Sequence, residues 1–324
     1  MSHAIFVDKP GDVSVLSYRA HDPGAPGPGQ LRIAVEAAGV NFIDTYQRSG
    51  LYPRPTPFVL GLEGAGRVQA VGADVSGWKV GQRVAWSGQP GSYAEQVVVK
   101  ADQVVAVPDG IDTELAAAVL LQGMTAHALA TAVHETQPGE TVLVHAAAGG
   151  TGQLLVQELK RAGARVFGTC STGKVELAQQ VGCDHVIRYD HDDVVTEVKR
   201  LNNGRGVDVV YDSVGKTTFD ASLASLRPRG LLVLFGAASG PVPPFDPQRL
   251  NQGGSLYLTR PTLFHYTATR AELEHHANAV FEGVKAGTLR PRIAGRFALS
   301  AAAKAHEELE GRRSAGKLLL IPGS

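Results

Sequence analysis

The chain predicts an α/β protein in two parts: a β-rich, GroES-like domain and a Rossmann-type doubly wound parallel sheet. Three observations carry the two-part reading. Residues 1–122 are rich in Gly, Pro and Val, with short alternating runs; residues 123–262 alternate apolar strands with amphipathic stretches. At Val142–Gly152 the run V-L-V-H-A-A-A-G-G-T-G passes from an apolar strand through small residues and glycines into a helical pattern.

In the first region Leu31–Val35, Gly66–Val71 and Tyr93–Val99 read as strands, with turns supplied by the glycines and prolines between them. In the second, six strands are expected at Thr141–His145, Arg165–Thr169, His185–Ile187, Val207–Asp212, Leu231–Phe235 and Ser255–Thr259. Helical patterns between them imply parallel pairing with crossovers. Pro241–Pro244 reads as a rigid loop before the sixth strand. Residues 263–324 carry helices at Arg270–Ala286 and Ser300–Arg312 and a last strand at Lys317–Ile321, and are expected to return to the first domain.

Composition narrows the function classes. Thirty-one basic residues balance 31 acidic ones and no dense Lys/Arg run occurs, which argues against nucleic acid as a main partner. Two cysteines, Cys170 and Cys183, are too few for a disulfide framework and fit a reducing cytoplasm. The first ten residues lack a signal-peptide core, and no apolar run reaches about 18 residues, so neither secretion nor a membrane is expected.

Ala147-x-Gly149-x-x-Gly152 fits the dinucleotide fingerprint with Ala in first place. Gly149 lets the backbone approach a pyrophosphate, Gly152 lets helix and strand pack closely, and Gly150 and Thr151 open a helix near Thr151 whose first amides lack intrahelical partners. About 20 residues on, where an NAD-preferring fold places a carboxylate for the ribose diol, the chain reads Gly168-Thr-Cys-Ser-Thr-Gly-Lys174. Ser171, Thr172 and Lys174 offer hydroxyls and a positive charge for a 2'-phosphate, which points to NADPH rather than NADH. The same seven residues spell G-x-x-x-x-G-K, but a P-loop needs Ser or Thr next to hold magnesium, and Val175 stands there.

Four segments carry a resemblance over essentially the whole chain: Asn41–Pro53, His145–Gly152, Val209–Gly215 and Asn251–Pro261. The chain resembles the zinc-free, zeta-crystallin-like quinone oxidoreductases of the medium-chain dehydrogenase/reductase superfamily. The resemblance implies a GroES-like catalytic domain, an inserted Rossmann domain, NADPH as hydride donor, a quinone acceptor with one-electron semiquinone formation as a variant, and a homodimer paired through Rossmann edge strands. It places Thr125 near the nicotinamide and Gly149–Gly152 at the pyrophosphate. Ser171, Lys174, Tyr189 and Arg312 fall around the 2'-phosphate and adenosine, and Val214, Phe235, Gly236 and Ala238 over the cofactor. Gln122, where relatives often have Lys, and Leu62 depart from the pattern and leave acceptor preference open.

A catalytic zinc in this superfamily would need Cys near 41 and His near 62; Asn41 and Leu62 stand there. His275-His276 are adjacent, and His134-Glu135 lacks a second His four residues on, so no zinc helix is evident. Without metal, reduction depends on positioning and on donors that stabilise negative charge on the acceptor. Asn41, Tyr46 and Tyr52 are the candidates, and Asn41 and Tyr46 are also candidate cofactor contacts, Tyr46 matching the family's nicotinamide-contacting position. Each has a structural alternative: Asn41 with Asp44 reads as a helix N-cap, Tyr52 as loop packing, and Arg312 as a complement to a helix C-terminus. Glu63 reads as a satisfied structural partner. Reduction of enone or enal double bonds, and NADPH binding without turnover, are the alternative functions.

Overall fold

A computed structural model describes residues 2–323. The chain forms two compact units, one made of the described residues up to Met124 and from Thr267 onward, the other of Thr125–Tyr266. The first unit opens with strands β1 (Ser2–Val7), β2 (Leu16–His21) and β3 (Gln30–Val40), helix α1 (Phe42–Ser49), then β4 (Phe58–Val59) and β5 (Glu63–Val71). Strands β6 (Arg83–Ser87), β7 (Gln96–Lys100) and β8 (Val104–Ala106) follow, and α2 (Thr113–Ala128) carries the chain into the second unit. That unit holds β9 (Thr141–Val144), α3 (Gly150–Arg161), β10 (Arg165–Cys170), α4 (Val175–Gln180), β11 (His185–Arg188) and α5 (Val194–Leu201). It continues with β12 (Val207–Asp212), α6 (Phe219–Ala224), β13 (Leu226–Leu234), α7 (Gln248–Gln252) and β14 (Tyr257–Thr259). The chain ends with α8 (Arg270–Lys285), β15 (Ile293–Ala298), α9 (Ala302–Glu310) and β16 (Lys317–Ile321), all in the first unit.

In the second unit every strand pairing is parallel and the order is β11-β10-β9-β12-β13-β14. This is the doubly wound arrangement, with the direction of winding reversing between β9 and β12. Both faces are covered, so strands such as Val142–Val144 and Val209–Tyr211 are buried along their length rather than alternating. Their apolar runs made them readable. β13 begins at Leu226, before the expected Leu231, because Pro228 and Arg229, the latter at φ +60°, break the apolar pattern while a register shift keeps the strand paired. β14 is shorter than Ser255–Thr259, since Gly254 and Ser255 still lie in the turn at φ +106° and +57°.

In the first unit β15-β16-β3-β5-β6-β8 form one sheet, with β7 also on β3, and β2-β1-β4 form another. Ile33, Val35, Trp86, Tyr93 and Leu320 are among its core residues. The tail supplies β16, which pairs antiparallel to β3 with Leu318 opposite Val40. Among the described residues one helical stretch, Thr113–Val133, is long and apolar enough to cross a membrane, yet most of it lies buried inside the protein, as in a core helix. Glu114, Gln122 and His127 interrupt its apolar residues, so no continuous run shows in the sequence.

Candidate active site

Parallel pairing puts the C-terminal ends of β9, β10, β12 and β13 along one edge of the second unit's sheet. The fingerprint turn leaves β9 there. Ala146 takes a left-handed φ of +53°, and Gly149 N–H closes the turn onto Ala146 O at 2.8 Å. Gly149 is the N-cap of α3 and brings no side chain to its first amides. At Gly152 a Cβ would overlap the Ala146 carbonyl oxygen and come within 3.0 Å of Ala147 Cα, so glycine is required for helix and strand to meet. An uncapped helix start facing a strand-end crevice suits an anion.

The ends of β10 and β11 bring Ser171, Lys174 and Tyr189 together: Cys170 pairs with Arg188, and Tyr189 N–H donates to Cys170 O. The structure adds a group that local sequence did not show. Asp190 accepts from the Thr172 amide at 3.0 Å and from its hydroxyl at 3.1 Å. The Thr172 bonds hold Asp190 below the usual carboxylate range. The segment Gly168–Lys174 itself holds no carboxylate, but Asp190 reaches it from the end of β11, and the Thr172 hydroxyl proton is already committed to it. Lys174 provides the turn's positive charge.

The turns after β12 and β13 are joined. Phe235 N–H donates to Asp212 O at 2.8 Å, Ala238 N–H to Ser213 O at 3.2 Å and Ser239 N–H to Val214 O at 2.8 Å. A Cβ on Gly236 would overlap Ser213 O. Val214 therefore follows the strand next to β9, and Phe235, Gly236 and Ala238, one strand further out, are bonded to that same turn. Thr125 is the first residue of this unit, whereas Arg312 belongs to the other, just past the C-terminus of α9 at φ +55°. It is the neighbouring Arg313 that caps, donating to Glu308 and to the Glu307 carbonyl. Burial pushes the Cys170 and Cys183 thiols up to about 11 and about 12, so neither is a nucleophile at neutral pH.

In the first unit, the registers of β16 and β5 on β3 set Lys317 across from Asn41 and Glu63 across from Gly39. Gly39 leaves room for both side chains. Lys317 Nζ donates to Asn41 Oδ1 at 2.7 Å and to Glu63, while Asn41 Nδ2 donates to Glu63 Oε2 at 2.9 Å and to Gly39 O at 3.2 Å. An ammonium only donates and a carboxylate only accepts, so the amide orientation is fixed by its neighbours. Both N–H bonds of Asn41 are thus spent inside the protein, and the expectation that it donates to the acceptor is corrected: its amide braces the wall. Glu63 also accepts the Leu121 amide at 2.7 Å and is fully satisfied. Asn41 is the N-cap of α1 in backbone position, with its own amide bonded to Asp44 Oδ2 at 2.8 Å. The α1 region brings Tyr46 and Tyr52 together, ring centroids 5.2 Å apart at 61°, with Tyr46 nearly buried and Tyr52 exposed.

These residues do not fit a catalytic zinc. Asn41 carries the Lys317 ammonium on its carbonyl oxygen, and Leu62 has no ligand atom. The strand-end edge of the second unit does fit a phosphorylated dinucleotide, through its uncapped α3 amides and the Ser171–Lys174 turn.

Residues 27–109 match the alcohol dehydrogenase GroES-like domain, and residues 150–277 match the zinc-binding dehydrogenase family. A quinone oxidoreductase of Pseudomonas aeruginosa is 48% identical over 96% of this chain and 97% of its own length. A 2-haloacrylate reductase of a Burkholderia species is 40% identical over 99% of both chains. The crystal structure of Escherichia coli quinone oxidoreductase complexed with NADPH superposes with a TM-score of 0.97 at 40% identity, covering 99% of this chain and 100% of that one. With a GroES-like unit, a Rossmann unit and full-length relatives at this level, the chain belongs to the quinone oxidoreductase family of the medium-chain dehydrogenase/reductase superfamily.

Proposed function

We propose that the protein is an NADPH-dependent quinone reductase that works without a metal. The observation that carries the cofactor half is the strand-end edge, where uncapped α3 amides and Lys174 provide for a pyrophosphate and a 2'-phosphate. Quinone as acceptor follows the full-length relatives. Bound there, NADPH supplies the hydride.

The chain's own part is binding and positioning. Gly149–Gly152 hold the pyrophosphate, Ser171, Lys174 and Tyr189 the adenosine end, and Thr125, Val214, Phe235, Gly236 and Ala238 complete the cofactor site. Tyr46 and Tyr52 bear phenols that can donate to the acceptor oxygen as negative charge builds on it. The Lys317–Glu63–Asn41 cluster keeps the start of α1, and so Tyr46, in one place.

A second reading, reduction of a conjugated carbon–carbon double bond, is favoured by the 2-haloacrylate reductase relative, since a haloacrylate is an unsaturated carboxylate. Loss of the reduced-nicotinamide absorbance, with NADPH and then NADH, against benzoquinone, phenanthrenequinone and a simple enone separates the two. Turnover of the quinones alone supports the first reading; turnover of the enone alone supports the second; NADPH binding without oxidation of any acceptor rejects both.

Two buried, unpaired cysteines suit a reducing cytoplasm. We also propose a homodimer joined through β14, the terminal strand of its sheet, where Tyr257 is 62% exposed. Sedimentation as a monomer would reject it.

A further inference from the structure

Asp212, the last residue of β12, is fully buried, and its carboxylate accepts from Val214 N at 2.7 Å, Gly215 N at 3.0 Å, Thr218 Oγ1 at 2.7 Å and Ser222 Oγ at 2.7 Å. A buried carboxylate donates nothing, so the single Ser222 hydroxyl proton points at Asp212. Ser222 Oγ lies 3.1 Å from His145 Nε2 and can only accept from it. His145, just beyond β9, is 2% exposed, and burial holds it below its ordinary range despite Asp212, so it is neutral. With its proton on Nε2, its Nδ1 must accept, and Thr169 Oγ1 donates at 3.1 Å. Thr169 Oγ1 in turn accepts the Ala146 amide at 3.3 Å. Every proton on this line points one way: Ala146, Thr169, His145, Ser222, Asp212.

We infer that Thr169, His145 and Ser222 are positioning residues for the nucleotide, forming a one-way hydrogen-bond relay that hangs the phosphate turn from Asp212. The inference rests on the nucleotide reading given above. Ala146 stands at φ +53°, a conformation that alanine keeps only where its surroundings hold it, and Thr169 is the side chain that grips its amide. Asp212 shapes two more turns of the same edge, through Val214 and Gly215 by its carboxylate and through Phe235 and Gly236 by its carbonyl. One buried carboxylate thereby sets the relative placement of three cofactor-lining turns. A fully satisfied buried network of this kind specifies a single geometry.

Thr169→Val keeps the shape and removes the hydroxyl; Thr169→Ser restores it. The Val variant is expected to bind NADPH about tenfold more weakly by calorimetry, with the Ser variant close to wild type. A purely structural role would instead lower the melting temperature and leave the affinity of the folded protein unchanged, and wild-type affinity in the Val variant overturns the inference. Nitrogen NMR of the His145 ring in the nucleotide-free protein is the second readout, and it holds even where the Val variant does not fold. A neutral ring protonated on Nε2 is expected; protonation on Nδ1, or an imidazolium, overturns the relay. Wild-type protein that shows the Nε2 tautomer but binds no NADPH would sink the functional reading instead, so the two failures are distinct.

Discussion

Lys174 sits in a turn that also holds an acid. Asp190 anchors Thr172, and the nearby Cys170 thiol, raised mainly by burial, is raised further by Asp190 and lowered by Lys174. In the proposed 2'-phosphate site the ammonium is the attracting group, while Asp190, which accepts from the Thr172 amide and hydroxyl, has no proton to donate to a phosphate. Lys174→Ala should therefore weaken NADPH by roughly 1–3 kcal/mol while leaving NADH nearly unchanged, as read from the two dissociation constants. Equal losses would place Lys174 away from the phosphate. The Ser171–Lys174 donor set was readable because it is local. Asp190 was not, since it lies 18 residues past Thr172 and arrives only through the parallel pairing of β10 with β11.

Helix α3 and its turn show how far an element can be read from local pattern. The apolar run, the small residues and the glycine spacing each reflect a steric need that the backbone meets within a dozen residues. At Gly152 that need is explicit: a Cβ would press on the Ala146 carbonyl. Gly152→Ala should cost about 1–3 kcal/mol of stability in urea unfolding, the usual penalty of overpacking, and should weaken NADPH because relief requires moving the turn. A variant with wild-type stability and affinity would mean that the helix start can shift without consequence. The wall of α1 was less legible. Asn41 looked like a donor to substrate, and local pattern offered the N-cap as its alternative; neither reading could include Lys317, which reaches it from 276 residues away by the pairing of β16 with β3. Likewise the start of β13 was hidden by Pro228 and Arg229, whose pairing depends on the neighbouring strand rather than on their own propensity.

Across the first unit a second buried line of polar groups links its two chain segments and gives the whole molecule a pH-dependent stability. Arg48 donates to His306 Nδ1 at 3.0 Å and pairs with Glu310. Burial, reinforced by Arg48, pushes His306 down to about 3, so the ring is neutral and its Nε2–H donates to Tyr93 at 3.1 Å. Tyr93 donates to Asp44 Oδ2 at 3.0 Å, and the Asn41 amide donates to the same oxygen, while Asp44 Oδ1 has no partner among the described residues. Burial raises Asp44 from 3.8 to about 7 against the lowering effect of the Asn41 and Tyr93 bonds and of Lys317. A carboxyl raised on folding stabilises the protein fully below its unfolded value and loses that contribution as pH climbs through the folded one. Between 3.8 and about 7 this group should therefore erode stability with rising pH, at up to about 1.4 kcal/mol per pH unit. Asp44→Asn keeps an oxygen for Tyr93 and the Asn41 amide but cannot ionise. His306, lowered on folding, works the other way over much of the same interval, so the test is the difference between the two proteins: urea midpoints should rise more, or fall less, with pH in the variant than in the wild type. Parallel curves would show that Asp44 keeps its ordinary acidity, and the missing partner at Oδ1 would then have to be met by water.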